Sequence, residues 1–337
     1  MKPIIELKDI LTPDKKILIT THHKPDADAL GSSLGLYNYL KQKNFDHVVV
    51  VTPTDYGAFL NWMPGNDSVI IYEQKTELSK SYIADADIIF CLDFNALKRI
   101  NDMGHDVAAS KAIKVMIDHH LQPEPFDDYR LHDTKACSTC ELIYTFINTM
   151  GDDALMNKDI AECLYAGILT DTGNFRHDTT TGNTHRIVAR LLDCGVKSDQ
   201  VQSHIYDNFT LRRTQLIGYT LAHKLEYIPE LNTSLMALDR NEIKHYGVLT
   251  GDTEGLVNWG LTITGVKLAV LIIDRKVKVK MSFRGKGDFP CNEFARKYFN
   301  GGGHFNAAGG ESDEPIEVVI EKLKEHLKEY TDILKTK

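Results

Sequence analysis

Five short apolar runs, Ile17–Thr20, Val48–Val51, Val69–Tyr72, Ile88–Leu92 and Ile113–Ile117, punctuate the first third of the chain, and helix-period stretches lie between them. The runs are almost continuously apolar rather than alternating. Strands of that kind are buried on both faces, which calls for a parallel sheet covered by helices. Helix candidates at Ala29–Lys43, Thr76–Ile83 and near Leu97–Ser110 supply the crossovers, right-handed by the general rule. Open α/β sheets bind ligands at the carboxyl ends of their strands, so those ends are the first place to look for chemistry.

Three of them carry the same residue types. Ile17–Thr20 leads into Thr21-His22-His23-Lys24-Pro25-Asp26-Ala27-Asp28. Ile88–Leu92 leads into Asp93, and Ile113–Ile117 into Asp118-His119-His120. After the first loop a helix pattern carries Leu30, Leu34 and Tyr37 on one stripe with Gly31 and Gly35 beside them, which reads as a helix packed close to the strand. Each cluster alone could be helix caps and turns: Asp28 could cap a helix starting at Ala29. Together on one edge they point to a cation, because neighbouring carboxylates repel one another without one. Oxygen and imidazole donors suit manganese or magnesium better than zinc.

The length of 337 residues allows about two domains. A net charge of −8 argues against a double-stranded DNA binder, which would carry a basic face, but not against a small anionic substrate. No apolar run is long enough to span a membrane, and the first residues lack the pattern of a signal peptide. A cytoplasmic protein with no membrane partner is expected. The six cysteines are scattered, as reduced thiols are. Cys137-Ser138-Thr139-Cys140 opens an apolar helix pattern and has no second pair for zinc. It reads as small residues at a helix start, with a redox role as the minority alternative.

Further along, Ala136–Met150, Lys158–Leu169, Thr184–Cys194, Ser198–Tyr206 and Leu211–His223 read as helices. Asp171, after the second of these, is either a turn residue or another ligand. The pattern then changes to strands at Thr233–Leu238, Lys267–Asp274 and Lys276–Arg284. Val277, Val279, Met281 and Phe283 fall on one face of the last, and the basic residues on the other. Arg284 at its tip precedes Gly285-Lys286-Gly287 and could grip a phosphate. A helix at Cys291–Phe299 is followed by the glycine-rich stretch Gly301-Gly302-Gly303-His304 to Gly310, where backbone can approach a ligand closely and offer N–H groups to an anion. An amphipathic helix at about 315–334 closes the chain. The expected division is a catalytic domain over 1–195, a helical linker over 196–224 and a smaller α/β domain over 225–337.

Taken together, His22-x3-Asp26-x-Asp28, Asp93, Asp118-His119-His120, Asp171 and Gly301-Gly302-Gly303-His304 resemble the DHH phosphoesterase family with its DHH-associated C-terminal domain, and within it the NrnA-like subgroup of oligoribonucleases and pAp phosphatases. The resemblance implies a site in the cleft between the two domains and two divalent ions, most readily manganese, with magnesium as the alternative. One ion would be held by His22, Asp26 and Asp93, the other by Asp28, Asp93, His119 and Asp171. Hydroxide would attack phosphorus in line between the two metals. Asp118 would fix an imidazole tautomer, and His120 would act at the scissile phosphate. Arg284, Gly301, Gly302, Gly303 and His304, with Arg176 as a weaker candidate, would bind the rest of the substrate. The expected substrates are short single-stranded RNA and 3′-phosphoadenosine 5′-phosphate (pAp), and a homodimer fits the resemblance. The alternatives are a cyclic or linear dinucleotide phosphodiesterase, a pyrophosphatase or exopolyphosphatase-like enzyme, and a catalytically inactive nucleotide sensor. A pyrophosphatase would be expected to lack the Gly301–His304 loop. A sensor would be marked by a lost ligand, and all six ligand positions are filled.

Overall fold

A computed structural model describes residues 2–207, 209–249 and 251–335. The chain divides into two units, Met1–Asn208 and Phe209–Lys337. In the first, the strands are β1 (Lys2–Pro3), β2 (Ile17–Thr21), β3 (Val48–Thr52), β4 (Ile70–Ile71), β5 (Ile88–Leu92), β6 (Ile113–Asp118) and β7 (Tyr129–His132). They form one sheet in the order β1-β7-β6-β5-β2-β3-β4, and every pairing in it is parallel. The helices are α1 (Ala27–Gln42), α2 (Thr76–Asp85), α3 (Met103–Ala109), α4 (Thr139–Thr149), α5 (Lys158–Asp171), α6 (Gly182–Asp193) and α7 (Ser198–Tyr206).

The two-sided burial read from the apolar runs is realised by alternation. Ile17, Ile19, Ile88, Phe90 and Leu92 join the core under α1, α4 and α5. Leu18, Ile89 and Cys91 join a second core with Ile83 of α2 and with Met103 and Val107 of α3. Helices therefore cover both faces, as expected. The glycines of α1 do not face the strand: a Cβ on Gly31 would sit 2.5 Å from the carbonyl oxygen of Cys163, and one on Gly35 2.6 Å from Leu164. They let α1 approach α5, not β2.

Three further differences from the sequence reading have local causes. Val69–Tyr72 shortens to the two residues of β4, because a turn at Gly65 and a 3-10 turn over Asn66–Ser68 use up its approach. The stretch 97–110 splits into a 3-10 turn, Leu97–Ile100, and α3, with Asn101 at positive φ between them. Strands β1 and β7 were not anticipated.

The second unit comprises α8 (Leu211–Tyr219), β8 (Leu225–Ile228), β9 (Thr233–Leu238), α9 (Arg240–His245), α10 (Leu256–Leu261), β10 (Leu268–Asp274), β11 (Val279–Gly285), α11 (Cys291–Tyr298), β12 (Gly302–His304), β13 (Ala307–Ser312), α12 (Ile316–Leu327) and α13 (Thr331–Lys335). Its six-stranded sheet runs β12-β13-β11-β10-β9-β8. Val279, Met281 and Phe283 pack with α11 and α12, while Met236, Leu271 and Ile273 pack with Leu216 and Leu256 on the other face. Val277 is 82% exposed and outside the strand. Lys276 takes a left-handed turn with φ 73°, its N–H held by Asp274, so alternation begins only at Val279. The glycine-rich stretch is not a loop but the β12–β13 hairpin, paired through β13 to β11. The segment expected to link the domains holds α7 and α8, which fall in the first and second units respectively.

Candidate active site

The parallel sheet puts the ends of β2, β5 and β6 side by side, and α5 adds its last residue. The β2 loop is fixed at both ends. Lys24 takes a left-handed conformation, φ 53°, and its N–H donates to Thr54 Oγ1 at 2.7 Å. The His23 N–H donates to the carbonyl of Arg99 at 2.8 Å. Asp26, rather than Asp28, caps α1: its Oδ1 accepts from the N–H groups of Asp28 and Ala29, both at 3.0 Å. Asp28 lies in the first turn of α1, fully buried, where its carboxylate accepts the Thr139 and Cys140 N–H groups at 2.6 and 2.9 Å. Those are unsatisfied donors at the start of α4, a good seat for an anion.

Asp93 ends β5 with φ 62°, a conformation costly for a non-glycine residue. Its N–H donates to the Ile117 carbonyl at 3.0 Å, and its Oδ1 accepts from Thr139 Oγ1 at 2.8 Å. Asp118-His119-His120 continue from β6, and Asp171 is the last residue of α5. After it, Gly173, Asn174 and Phe175 are all left-handed, which turns the chain sharply away from Asp171.

The donor atoms fall into two groups that meet at Asp93. His22 Nε2 is 3.3 Å from Asp93 Oδ2 and 3.8 Å from Asp26 Oδ2. His119 Nε2 is 3.5 Å from Asp93 Oδ1, 3.4 Å from Asp171 Oδ2 and 3.8 Å from Asp28 Oδ2. In an octahedral site with ligands at about 2.1 Å, neighbouring donors are about 3.0 Å apart and opposite ones about 4.2 Å. The observed spacings fall in that interval.

The tautomers support the same conclusion. His22 Nδ1 lies 2.9 Å from the His23 carbonyl and His119 Nδ1 3.2 Å from the Ala136 carbonyl. A carbonyl only accepts, so both Nδ1 atoms carry the proton, as metal-binding imidazoles usually do. In the neutral ring each Nε2 then aims a lone pair at carboxylate oxygens, which needs a positive body between them. Without metal, protons fill that role. Burial pushes the Asp28 carboxyl up to about 7, with the charge of Asp93 adding to it. Burial and the nearby Asp28 carry Asp171 well above the ordinary range. Burial opposes charging of His22 and His119, but the hydrogen bond to Asp93 and the surrounding carboxylate charges together outweigh it and raise both. Burial likewise pushes Asp93 up, but hydrogen bonds from His119 and His22 prevail and hold it well below its usual value. Four carboxylates and two imidazoles at these spacings fit a pair of divalent ions.

Asp118 stands apart from these donors. Its Oδ1 accepts the His120 Nδ1–H at 2.7 Å, leaving Nε2 for other work. Burial and the Arg99 charge depress His120 well below the usual imidazole range, so its ring is neutral. Arg99 and Thr139 were not singled out in the sequence. Arg99 sits in the 3-10 turn after β5, and nothing in its spacing marks it. Thr139 lies inside the C-x-x-C, whose thiols are buried and pushed up by that burial. That motif is a helix start whose N–H groups hold Asp28, as the main reading had it.

The remaining predicted residues belong to the turn after Asp171 and to the second unit. Arg176 is exposed, three residues beyond Gly173. In the second unit, Arg284 of β11 pairs with Ala307, which pairs with His304 of β12. Directly opposed residues share a sheet face, so Arg284 and His304 rise on the same side with only a small alanine between them. Gly301 and Gly303 serve packing: a Cβ at either would lie within 2.5 Å of a backbone oxygen of β13. Around Gly302 there is open space.

Comparison with known proteins matches residues 16–168 to the DHH family, N-terminal domain, and residues 236–336 to the DHHA1 domain. The bifunctional oligoribonuclease and PAP phosphatase NrnA of Bacillus subtilis is 26% identical over 92% of this chain and 95% of its own. The protein of the same name from Thermus thermophilus is 29% identical over 92% of this chain and 90% of its own. A crystal structure of an exopolyphosphatase-related protein from Bacteroides fragilis superposes with a TM-score of 0.93 at 37% identity, covering 99% of this chain and 98% of that one.

Proposed function

The chain belongs to the DHH family, its DHH domain followed by a DHHA1 domain, and on that premise we propose that it hydrolyses short oligoribonucleotides and pAp with two manganese ions bound. At the coarser level it is a metal-dependent phosphoesterase acting on nucleotides or oligonucleotides. The observation that carries the finer reading is the pair of donor groups that meet at Asp93. It is supported by the Arg284–His304 row in the second unit and by the names of the relatives.

Divalent ions supply Lewis acidity and charge neutralisation at a phosphoryl group. The chain's own residues do the rest. His22, Asp26 and Asp93 would hold one ion; Asp28, Asp93, His119 and Asp171 the other. The backbone N–H groups of α4 keep Asp28 from rotating, and Asp93, at its left-handed turn, sets Oδ1 towards His119 and Oδ2 towards His22. Asp118 holds His120 as the Nδ1–H tautomer, so Nε2 is the atom that exchanges a proton with the leaving oxygen. Arg284 offers a fork of donors to a terminal phosphate, with His304 beside it. Magnesium is the alternative ion.

The test is product release in manganese from pAp, linear pApA, cyclic di-AMP and pyrophosphate, with Asp93→Ala as control. Turnover of pAp and pApA, absent in the control, is expected. Cyclic di-AMP as the best substrate would make this a signalling diesterase. Turnover of pyrophosphate alone would overturn the reading of the second domain. Tight nucleotide binding without turnover would make it a sensor.

A further inference from the structure

We propose that Arg99 is a phosphate anchor on the catalytic unit: its half-buried guanidinium, carried on the turn that is bound to the His23 loop, binds a non-bridging oxygen of the phosphoryl group under attack. The inference rests on the phosphoesterase reading and adds a residue to it. Two lysines on the neighbouring loops are compensated. Lys24 pairs with Asp55, and Lys98 with Glu124 at 3.3 Å. Among the described residues the Arg99 guanidinium has neither a hydrogen bond nor an ion pair, although burial makes an uncompensated charge expensive.

Its place is fixed by backbone. The Arg99 carbonyl accepts from both the N–H and Nδ1 of His23, at 2.8 and 2.9 Å, so the 3-10 turn is latched to the loop that presents His22 and Asp26. The side chain takes no part in that latch. Its charge is felt at His22, His120 and Asp118, in each case disfavouring added positive charge or favouring negative. A cation that pairs with no carboxylate, yet is carried on the turn latched to the His22–Asp26 loop, matches an anion that arrives with substrate. Arginine binds phosphate oxygens through two parallel N–H donors, and such donors act most strongly where charge develops.

The experiment compares wild type, Arg99→Ala and Arg99→Lys in the full chain. It measures inorganic phosphate binding by calorimetry with manganese present, manganese affinity alone, thermal melting, and kcat/KM for pAp. Arg99→Ala is expected to weaken phosphate binding about 10–100-fold, the range for a hydrogen bond to a charged group. Arg99→Lys should fall between. Manganese affinity and melting should stay at wild-type values, because alanine keeps the carbonyl latch. Phosphate affinity within twofold of wild type would overturn the proposal, as would a parallel loss of manganese affinity, which would make Arg99 a structural residue. If wild type binds phosphate but hydrolyses no phosphoester, the functional reading fails while the anchor stands.

Discussion

Asp93 carries more of the site than any other side chain: it faces both imidazoles, accepts from Thr139, and pays a backbone strain to do so. Asp93→Ala should abolish hydrolysis and ion binding together, seen as loss of product release and of the manganese isotherm. Asp118→Asn is a subtler change, since the amide can no longer accept in the same way from the His120 Nδ1–H. Loss of such a supporting partner typically costs about 10–100-fold in activity, and kcat should fall with manganese affinity unchanged. The candidate ligands were legible in the sequence because each lies at or just after the end of an apolar run or helix, or at the start of the helix that follows. Arg99 was not, because its position depends on a short turn folding back onto His23, and turns of that kind leave no periodic trace. The role of Asp28 was half legible: a carboxylate near a helix start reads as a cap, and only the fold places it at the start of α4 instead.

Among the elements, α1, α4 and α5 form the block that braces the candidate ligands. Gly31→Ala puts a methyl group 2.5 Å from a backbone oxygen of α5. It should destabilise the first unit by about 1–3 kcal/mol, as overpacking does, and lower Tm by roughly 2–4 °C per kcal/mol. A second brace joins the end of α1 to the turn before α5, where Asp152 accepts from Lys43 at 2.6 Å and Tyr39 at 2.5 Å. Burial pushes the Asp152 carboxyl up, but those hydrogen bonds outweigh it and hold it below its ordinary value. A depressed carboxyl stabilises the fold above its unfolded pKa, about 3.9, and that contribution is lost as pH falls through the lower folded value. The stability gap between wild type and Asp152→Asn in denaturant should therefore be full near pH 6 and shrink below about pH 4. The central strands were readable because burial on both faces demands apolar residues. Strand β7, Tyr129-Arg130-Leu131-His132, mixes charge and apolar character, and β1 is only two residues long. The β12–β13 hairpin is hidden by its glycines, which have little strand propensity and are held in register by β11.

For the whole molecule, the candidate ion site and the Arg284–His304 row belong to separate units, each with its own core. Arg284→Ala should leave ion binding intact and raise KM for pAp about 10–100-fold, the range for a charge-assisted hydrogen bond, with a smaller effect on kcat. No helix among the described residues is long and apolar enough to cross a membrane. The central claim is a two-ion centre sharing Asp93, and the most direct measurement is the number of manganese ions bound per chain at saturation, by equilibrium dialysis of wild type and Asp93→Ala. Two ions in wild type and weak or no binding in the variant are predicted. A single ion in wild type, or two retained without Asp93, would contradict it.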